Sequence, residues 1–365
     1  MLFVLSGGGT AGHINPAIAL AEELTRRGHE VRFAGTPTGI ESRLAVQAGF
    51  AFEPFEAAGF NRRHPLSLVK ALKLINASRV KAKKWFAQIK PDAVVGFGGY
   101  VCIPVCRAAE EMHIPMMLHE QNSVMGVANK ELAKGAVKVA LTYEVAGNSV
   151  SDKSKLVVTG NPVRSTIFDS TREEGRAYLG IPDDALLLLV FGGSLGARHL
   201  NTAICALKER LLAVPNLYIV HVTGPKELET VQGDLALTED EAKRWIVKGY
   251  EDQMGKVMAA CDATVARAGA TSLAEISARQ IPALLVPFPY ATADHQTMNA
   301  RSYVDAGAAY MVADADVEEP EFADKLFDLL GSADLRASMH EAAASCDTAN
   351  AAEKLADMVE SAVNA

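Results

Sequence analysis

The sequence predicts an α/β chain built from two Rossmann-like domains, and three observations carry that expectation. Short apolar runs alternate with helical patterns from end to end, the mark of parallel sheets covered by helices. Each half opens alike, with LFVLS before GGGTAGH and LLLLVF before GGSLGARH, so each begins as strand, glycine cluster and helix. The length of 365 residues exceeds what one hydrophobic core usually serves. In the first half, strands are expected near Leu2–Ser6, Glu30–Gly35, Ala93–Gly96, Pro115–His119, Val137–Leu141 and Leu156–Thr159. In the second they are expected near Leu186–Phe191, Leu217–Val222, Ile246–Lys248, Ala263–Ala266, Ala283–Pro287 and Ala309–Val312. The boundary falls near Gly160-Asn161-Pro162, which gives domains 1–161 and 162–365. Ala333–Ala365 reads as Ala-rich and helical with no strand after it, and its last helix, about 341–365, is expected to pack back on the first domain. In such sheets ligands bind at the carboxyl ends of the strands, here in a central cleft faced by both sheets.

Composition suits a soluble enzyme, with 49% hydrophobic and 22% charged residues. Runs such as Leu186–Phe191 are far shorter than the roughly 20 apolar residues that span a bilayer. The start, MLFVLSGGG, lacks the basic and long apolar regions of a signal peptide. Five cysteines without C-x-x-C spacing read as small buried residues in a reducing, cytosolic compartment. The net charge of −8 is unevenly spread: residues 1–160 hold 19 Lys/Arg and 13 Asp/Glu, a balance of +6, and the rest hold 17 and 31, a balance of −14. A basic first half suits phosphate groups or an acidic membrane face, and no nucleic-acid partner is expected.

The most informative stretch is Arg267–Asn299. Gly269 allows a sharp turn into a helix whose first amides, on Ala270, Thr271 and Ser272, suit a phosphate. Glu275, one turn further, has two oxygens for two ribose hydroxyls. Pro287 and Pro289 stiffen a loop that presents Asp294, His295 and Gln296 to a sugar. These residues suffice for a sugar nucleotide without a metal or other cofactor.

Gly7, Gly9 and Gly12 match the dinucleotide fingerprint, yet the second strand ends FAGT with no acid for a ribose, which argues against NAD. What remains is a loop of amides with His13 at its end. Gly192-Gly193-Ser194-Leu195-Gly196 matches the nucleophile elbow of hydrolases, with Asp262, Asp294 and His295 as later partners. The chain lacks an HGGG-like loop, so Ser194 is better read as a donor to a diphosphate oxygen, against the plainer reading of a tight turn. Asp314-Ala315-Asp316 resembles a metal-binding D-x-D, but it precedes a helix, where capping accounts for acids, and no metal is assigned. His119-Glu120-Gln121-Asn122 and Phe97-Gly98-Gly99-Tyr100 each end a strand, and a polar transition or a packing requirement competes with a ligand role for both. Residues 60–90 mix Arg62, Arg63, Lys70, Lys73, Arg79, Lys81, Lys83 and Lys84 with Leu, Ile, Trp and Phe. The inner apolar residues are expected to pack on the core, and Phe60–Leu68 to touch a membrane.

Taken together, GGGTAGHINPA, GFGGYV, HEQNSVMGVANK, GNPVR, FGGSLGARHLN, YEDQM, RAGATSLAEI and VPFPYATADHQTMNA resemble the MurG family of peptidoglycan glycosyltransferases, in family order across nearly the whole chain. The resemblance implies the GT-B fold and an inverting transfer of N-acetylglucosamine from UDP-GlcNAc to lipid I, which makes lipid II. It implies a peripheral place on the cytoplasmic face of the cell membrane, with an anionic lipid surface and cell-wall or division proteins as partners. It places donor contacts on Thr10, Ala11, Gly12, Asn122, Arg164, Ser194 and Gln296, and on the helix start Ala270, Thr271, Ser272, Leu273, Ala274 and Glu275. The uracil contact falls on the main chain of Tyr250-Glu251. Ala11 stands where the family usually has glycine, and Glu251 where an apolar residue is common.

The reaction expected is a single displacement by the C4 hydroxyl of the N-acetylmuramyl unit, giving a β-1,4 link. A hydroxyl is a poor nucleophile, so a positioned base should contribute roughly 10²–10⁴-fold. His13 is the first choice, Glu120 the second and His119 the third, and departing UDP is met by Ser194 and the helix amides. Three other classes stay open: a related glycolipid synthase, a UDP-GlcNAc epimerase and a non-catalytic nucleotide-sugar sensor.

Overall fold

The computed structural model describes residues 1–57, 65–193, 196–346 and 349–363, with backbone alone for 65–70 and 292. The chain forms two compact units, one of residues 1–164 with 348–365 and one of residues 165–347.

The first unit is built on a seven-stranded sheet: β1 Leu2–Ser6, β2 Glu30–Gly35, β3 Ala51–Pro54, β4 Ala93–Gly96, β5 Met116–Glu120, β6 Lys138–Leu141 and β7 Leu156–Val158. The order is β3-β2-β1-β4-β5-β6-β7 and every pairing is parallel. Strands such as AVVG and MMLHE are buried along their whole length because helices cover both faces. On one face, Ile14, Ala17, Leu20 and Leu24 of the helix Ala11–Arg26 meet Phe3, Leu5 and Phe33. On the other, Ala82 and Phe86 join Val105 and Cys106 over Val4, Val94 and Leu118. The terminal helix Ala351–Val363 adds Leu355, Ala356 and Val359 to the first of these cores. Arg27 pins it through Asp357 at 2.6 Å and Glu360 at 2.7 Å, and His29 reaches Glu360 at 2.6 Å.

The second unit repeats the scheme with β8 Leu186–Phe191, β9 Leu217–Val222, β10 Trp245–Lys248, β11 Ala263–Ala266, β12 Ala283–Leu285 and β13 Ala309–Met311. Its order is β10-β9-β8-β11-β12-β13, again wholly parallel. Leu188, Val190, Ile219, Trp245, Val265, Leu284, Phe322 and Leu326 form its largest core. In both sheets the chain reverses direction across the sheet between two neighbouring strands, β1 with β4 and β8 with β11. The carboxyl ends there are where loops diverge and leave room for a ligand.

Three differences from the sequence expectation have physical causes. The expectation omits β3, a short edge strand that is half exposed and ends in Pro54, so it carries little apolar signal. β12 stops at Leu285 because the carbonyls of Val286 and Pro287 turn to Arg267, at 3.1 and 3.2 Å, and leave the ladder. Ala333–Ala365 is two helices, Ala333–Ala343 and Ala351–Val363, because the chain returns to the first unit between them.

Candidate functional site

In the first unit, β1 delivers Gly7-Gly8-Gly9, and the extended Thr10 (φ −149°) starts the helix Ala11–Arg26. This loop packs on the turn after β4, where Gly8 N donates to Gly98 O at 3.3 Å. Gly98 has φ +99°, and a Cβ there would lie 3.0–3.1 Å from the His13 ring, so only glycine leaves the ring its place. His13 Nδ1 lies 2.9 Å from Gly8 O and 3.2 Å from Thr10 Oγ1. A carbonyl can only accept, so Nδ1 carries the ring proton and Nε2 is the basic nitrogen. The sequence reading missed Glu41, a fully buried acid from the helix Ile40–Gln47. It accepts from Gly9 N at 3.2 Å, and from Thr36 N at 3.0 Å and Thr36 Oγ1 at 2.6 Å. The signal was a lone acid after the glycines of GTPTGIE.

At the end of β5 the four polar residues divide into different tasks. His119 is buried, donates from Nε2 to Gly160 O at 3.0 Å and accepts at Nδ1 from Gln121 at 3.0 Å. Burial pushes its pKa down to about 4, against the pull of the Gly160 carbonyl. A neutral ring with both nitrogens committed is a strut, which removes His119 as a base. Glu120 is also buried and its two oxygens are shared among four donors: Asn122 N and Nδ2 at 3.1 and 3.4 Å, Gly126 N at 2.9 Å and Asn129 Nδ2 at 2.8 Å. It ties the loop 121–126 to the helix Val127–Leu132 and is badly placed to take a proton from a ligand. Asn122 is half-buried beside it.

In the second unit, Gly192 and Gly193 follow β8, while Ser194 and Leu195 lie outside the described residues. His199, in the helix Arg198–Ala206, sets Nδ1 2.9 Å from Asp314 and Nε2 3.5 Å from Glu318. β11 leads through Arg267 and Ala268 to Gly269, which brings no side-chain cap to the helix Ala270–Ala278. Asn299 Nδ2 holds Ala268 O at 3.3 Å and Tyr303 OH holds Leu273 O at 3.0 Å, so the next helix fixes this turn. Glu275 is buried in that helix, with Leu273, Ala274, Ile276 and Ser277. Gln296 Oε1 accepts from Phe288 N at 3.0 Å, so its amide nitrogen is the group able to donate. Glu251 spends its carboxylate internally, on Lys248 at 2.6 Å, Tyr178 OH at 3.0 Å and Gln253 N at 2.6 Å, so its main chain alone remains for a base. Arg164 is half-buried at the end of the first unit's main segment.

Two motifs dissolve in the structure. Asp262 precedes β11, at the amino end of that strand, and is held by Arg172, Arg176 and Leu187 N. It can serve no triad there. Asp314 bonds Arg267 at 2.5 Å and His199 at 2.9 Å; burial pushes its pKa up, but the bonds to His199 and Arg267 outweigh it and hold the pKa below the usual value. Its oxygens already face Arg267 and His199. A cavity of about 320 Å³ lined by Arg172, Asp262, Arg279 and Arg336 also opens at the amino ends of the strands, away from the glycine loops. Of the basic stretch, Phe60–Asn61 and Arg62–His64 lie outside the described residues and Pro65–Lys70 are described as backbone alone. Further along, Phe86 is buried as expected, Leu72 and Lys73 are exposed, and Arg79, Lys81 and Lys83 pair with Glu111 and Glu53. Among the described residues no helix is long and apolar enough to cross a membrane.

The chain matches the glycosyltransferase family 28 N-terminal domain over residues 3–141 and the C-terminal domain of that family over 187–359. An Acetivibrio thermocellus UDP-N-acetylglucosamine–N-acetylmuramyl-(pentapeptide) pyrophosphoryl-undecaprenol N-acetylglucosamine transferase is 36% identical over 98% of this chain and 97% of its own. The crystal structure of Acinetobacter baumannii MurG is 30% identical, with a TM-score of 0.73 and 99% of both chains covered. A UDP-GlcNAc 2-epimerase from Neisseria meningitidis, solved with UDP-GlcNAc, also superposes, with a TM-score of 0.71 over 99% of this chain and 100% of that one. At 13% identity it shares the fold alone. Fold therefore does not separate transferase from epimerase, whereas sequence does.

Proposed function

Because the chain belongs to glycosyltransferase family 28, we propose that it moves N-acetylglucosamine from UDP-GlcNAc to the C4 hydroxyl of the N-acetylmuramyl unit of lipid I, forming lipid II with inversion. The observation that carries this is near-full-length relatedness to transferases named for that donor and that acceptor. The second unit holds the donor. Uracil meets the main chain at Tyr250-Glu251, the ribose meets Glu275, and the diphosphate meets the amides of Ala270, Thr271 and Ser272 with Ser194. Leu273 and Ala274 back that helix start, Gln296 donates to the sugar, and Arg164 adds positive charge. From the first unit, Thr10, Ala11, Gly12 and Asn122 complete the donor contacts.

His13 is the general base. Its Nδ1 proton is committed to Gly8 O, so Nε2 takes the acceptor hydroxyl's proton as the anomeric bond to UDP breaks. Glu120, the earlier rival, keeps a structural task because four donors already occupy it. Charge on the departing UDP is met by helix amides and hydroxyls without a metal or cofactor. The enzyme sits peripherally on the cytoplasmic face of the cell membrane, touching anionic lipid through the Phe60–Leu68 segment and working beside cell-wall and division proteins. Charge reversal at Arg62 and Arg63 tests the membrane contact, and unchanged liposome association would count against it. The function itself is tested with radiolabelled UDP-GlcNAc and a short-chain lipid I analogue. A β-1,4-linked disaccharide product is expected, whereas turnover of UDP-GlcNAc without acceptor would instead mark an epimerase.

A further inference from the structure

Glu41 is fully buried, yet all its described partners belong to the glycine-rich loop or to the strand end beside it. One oxygen accepts from Thr36 N and Oγ1 and the other from Gly9 N, and an acceptor-only carboxylate is what three converging donors need. Room for the group is made by glycines from three segments. A Cβ on Gly8, Gly35 or Gly39 would lie 2.4, 2.6 or 2.3 Å from Glu41 atoms. A buried acid surrounded so closely has no freedom to move, so it fixes the loop that it grips. Gly8 O, one residue before the Gly9 amide, is the acceptor that orients the His13 ring.

We propose that Glu41 is a positioning residue for the transfer: its bond to Gly9 N sets the Gly8 carbonyl, and the carbonyl sets the tautomer and aim of His13. This rests on the assignment of His13 as the base. The interaction touches no donor contact of the second unit, and Thr10, Ala11 and Gly12 follow the gripped residue, so its loss should act more on turnover than on donor binding. Displacing a base by a fraction of an ångström to one ångström costs up to about 10²-fold in rate.

The test is a double-mutant cycle of Glu41→Gln and His13→Ala, read as kcat and as KM for UDP-GlcNAc. Glu41→Gln keeps the shape but turns an amide NH₂ against Gly9 N–H or Thr36 N–H. It is expected to lower kcat about 10- to 100-fold, with a smaller change in KM for UDP-GlcNAc than in kcat. In the His13→Ala background it should cost nothing further, because residues acting as one unit are not additive. Glu41→Asp keeps both acceptors and should recover part of the rate, and it serves as the folded variant if the glutamine substitution fails to fold. Wild-type kcat in both Glu41 variants, or an equal loss in both His13 backgrounds, overturns the proposal. A His13→Ala enzyme with near-normal turnover would fail differently, since it removes the base assignment itself.

Discussion

The two glycine-rich openings, GGGTAGH and GGSLGARH, are near-repeats in sequence, and each is followed by a histidine, yet the structure uses the two histidines in opposite ways. His13 points Nδ1 at a carbonyl, whereas His199 has a carboxylate against each nitrogen. The first loop is gripped from below by a buried acid. The second is bordered by the Arg267–Asp314–His199 network, which also fastens the carbonyls after β12. One histidine thus bonds a backbone carbonyl of its own loop, and the other joins a network of acids and Arg267. The neighbours decide between them, and they come from elsewhere in the chain.

The largest effect should separate the two histidines directly. His13→Ala is expected to lower kcat by at least about 10²-fold with near-normal UDP-GlcNAc binding. His199→Ala should leave kcat within a few-fold and act mainly on thermal stability. Equal losses in steady-state kcat from the two variants would erase the contrast. The units also resemble each other in one respect, a neutral buried histidine under the sheet end. His119 and His221 are each pushed down to about 4 by burial. The unfolded chain binds those protons near pH 6.5, so each should take away about 3 kcal/mol of stability as pH falls from about 6.5 to about 4, with no further change below. Melting curves of His119→Gln and His221→Gln across that range should each lose part of the slope; an unaltered slope would show that neither ring is held neutral.

A smaller effect is expected at the donor site. If Glu275 meets the ribose as proposed, Glu275→Ala should weaken UDP-GlcNAc binding about ten-fold, by isothermal titration, with kcat at saturation little changed. Wild-type affinity in that variant would take the ribose away from Glu275. The smallest effect is a null one. Excess EDTA and Asp316→Ala should both leave transfer at its full rate, and a strict divalent requirement would return the D-x-D acids to the site.

Much of the fold was legible because buried parallel strands are apolar runs, and glycines mark their carboxyl ends. β1, β2, β4, β8, β9 and β11 fall where the pattern placed them. β3 did not, since an edge strand with a proline shows no such run. The candidate site was legible by residue type and much less by role. HEQN reads as a dense polar site, but three of its four side chains are buried and bonded inward. Glu251 turns its carboxylate to Lys248 and Tyr178, which the sequence alone does not reveal. Glu41 was not legible because a ribose acid is expected at the end of β2, whereas this acid arrives from the helix that follows. Local pattern reports which residues are near a strand end; burial and partners report what each is able to do there.

The division of labour between the units meets its most direct test in a crystal structure of the protein with UDP-GlcNAc. The account predicts ribose hydroxyls on the Glu275 carboxylate and the diphosphate against the amides of Ala270, Thr271 and Ser272. A nucleotide found with its diphosphate seated in the Gly7-Gly8-Gly9 loop, and Glu275 without a ligand, would contradict it.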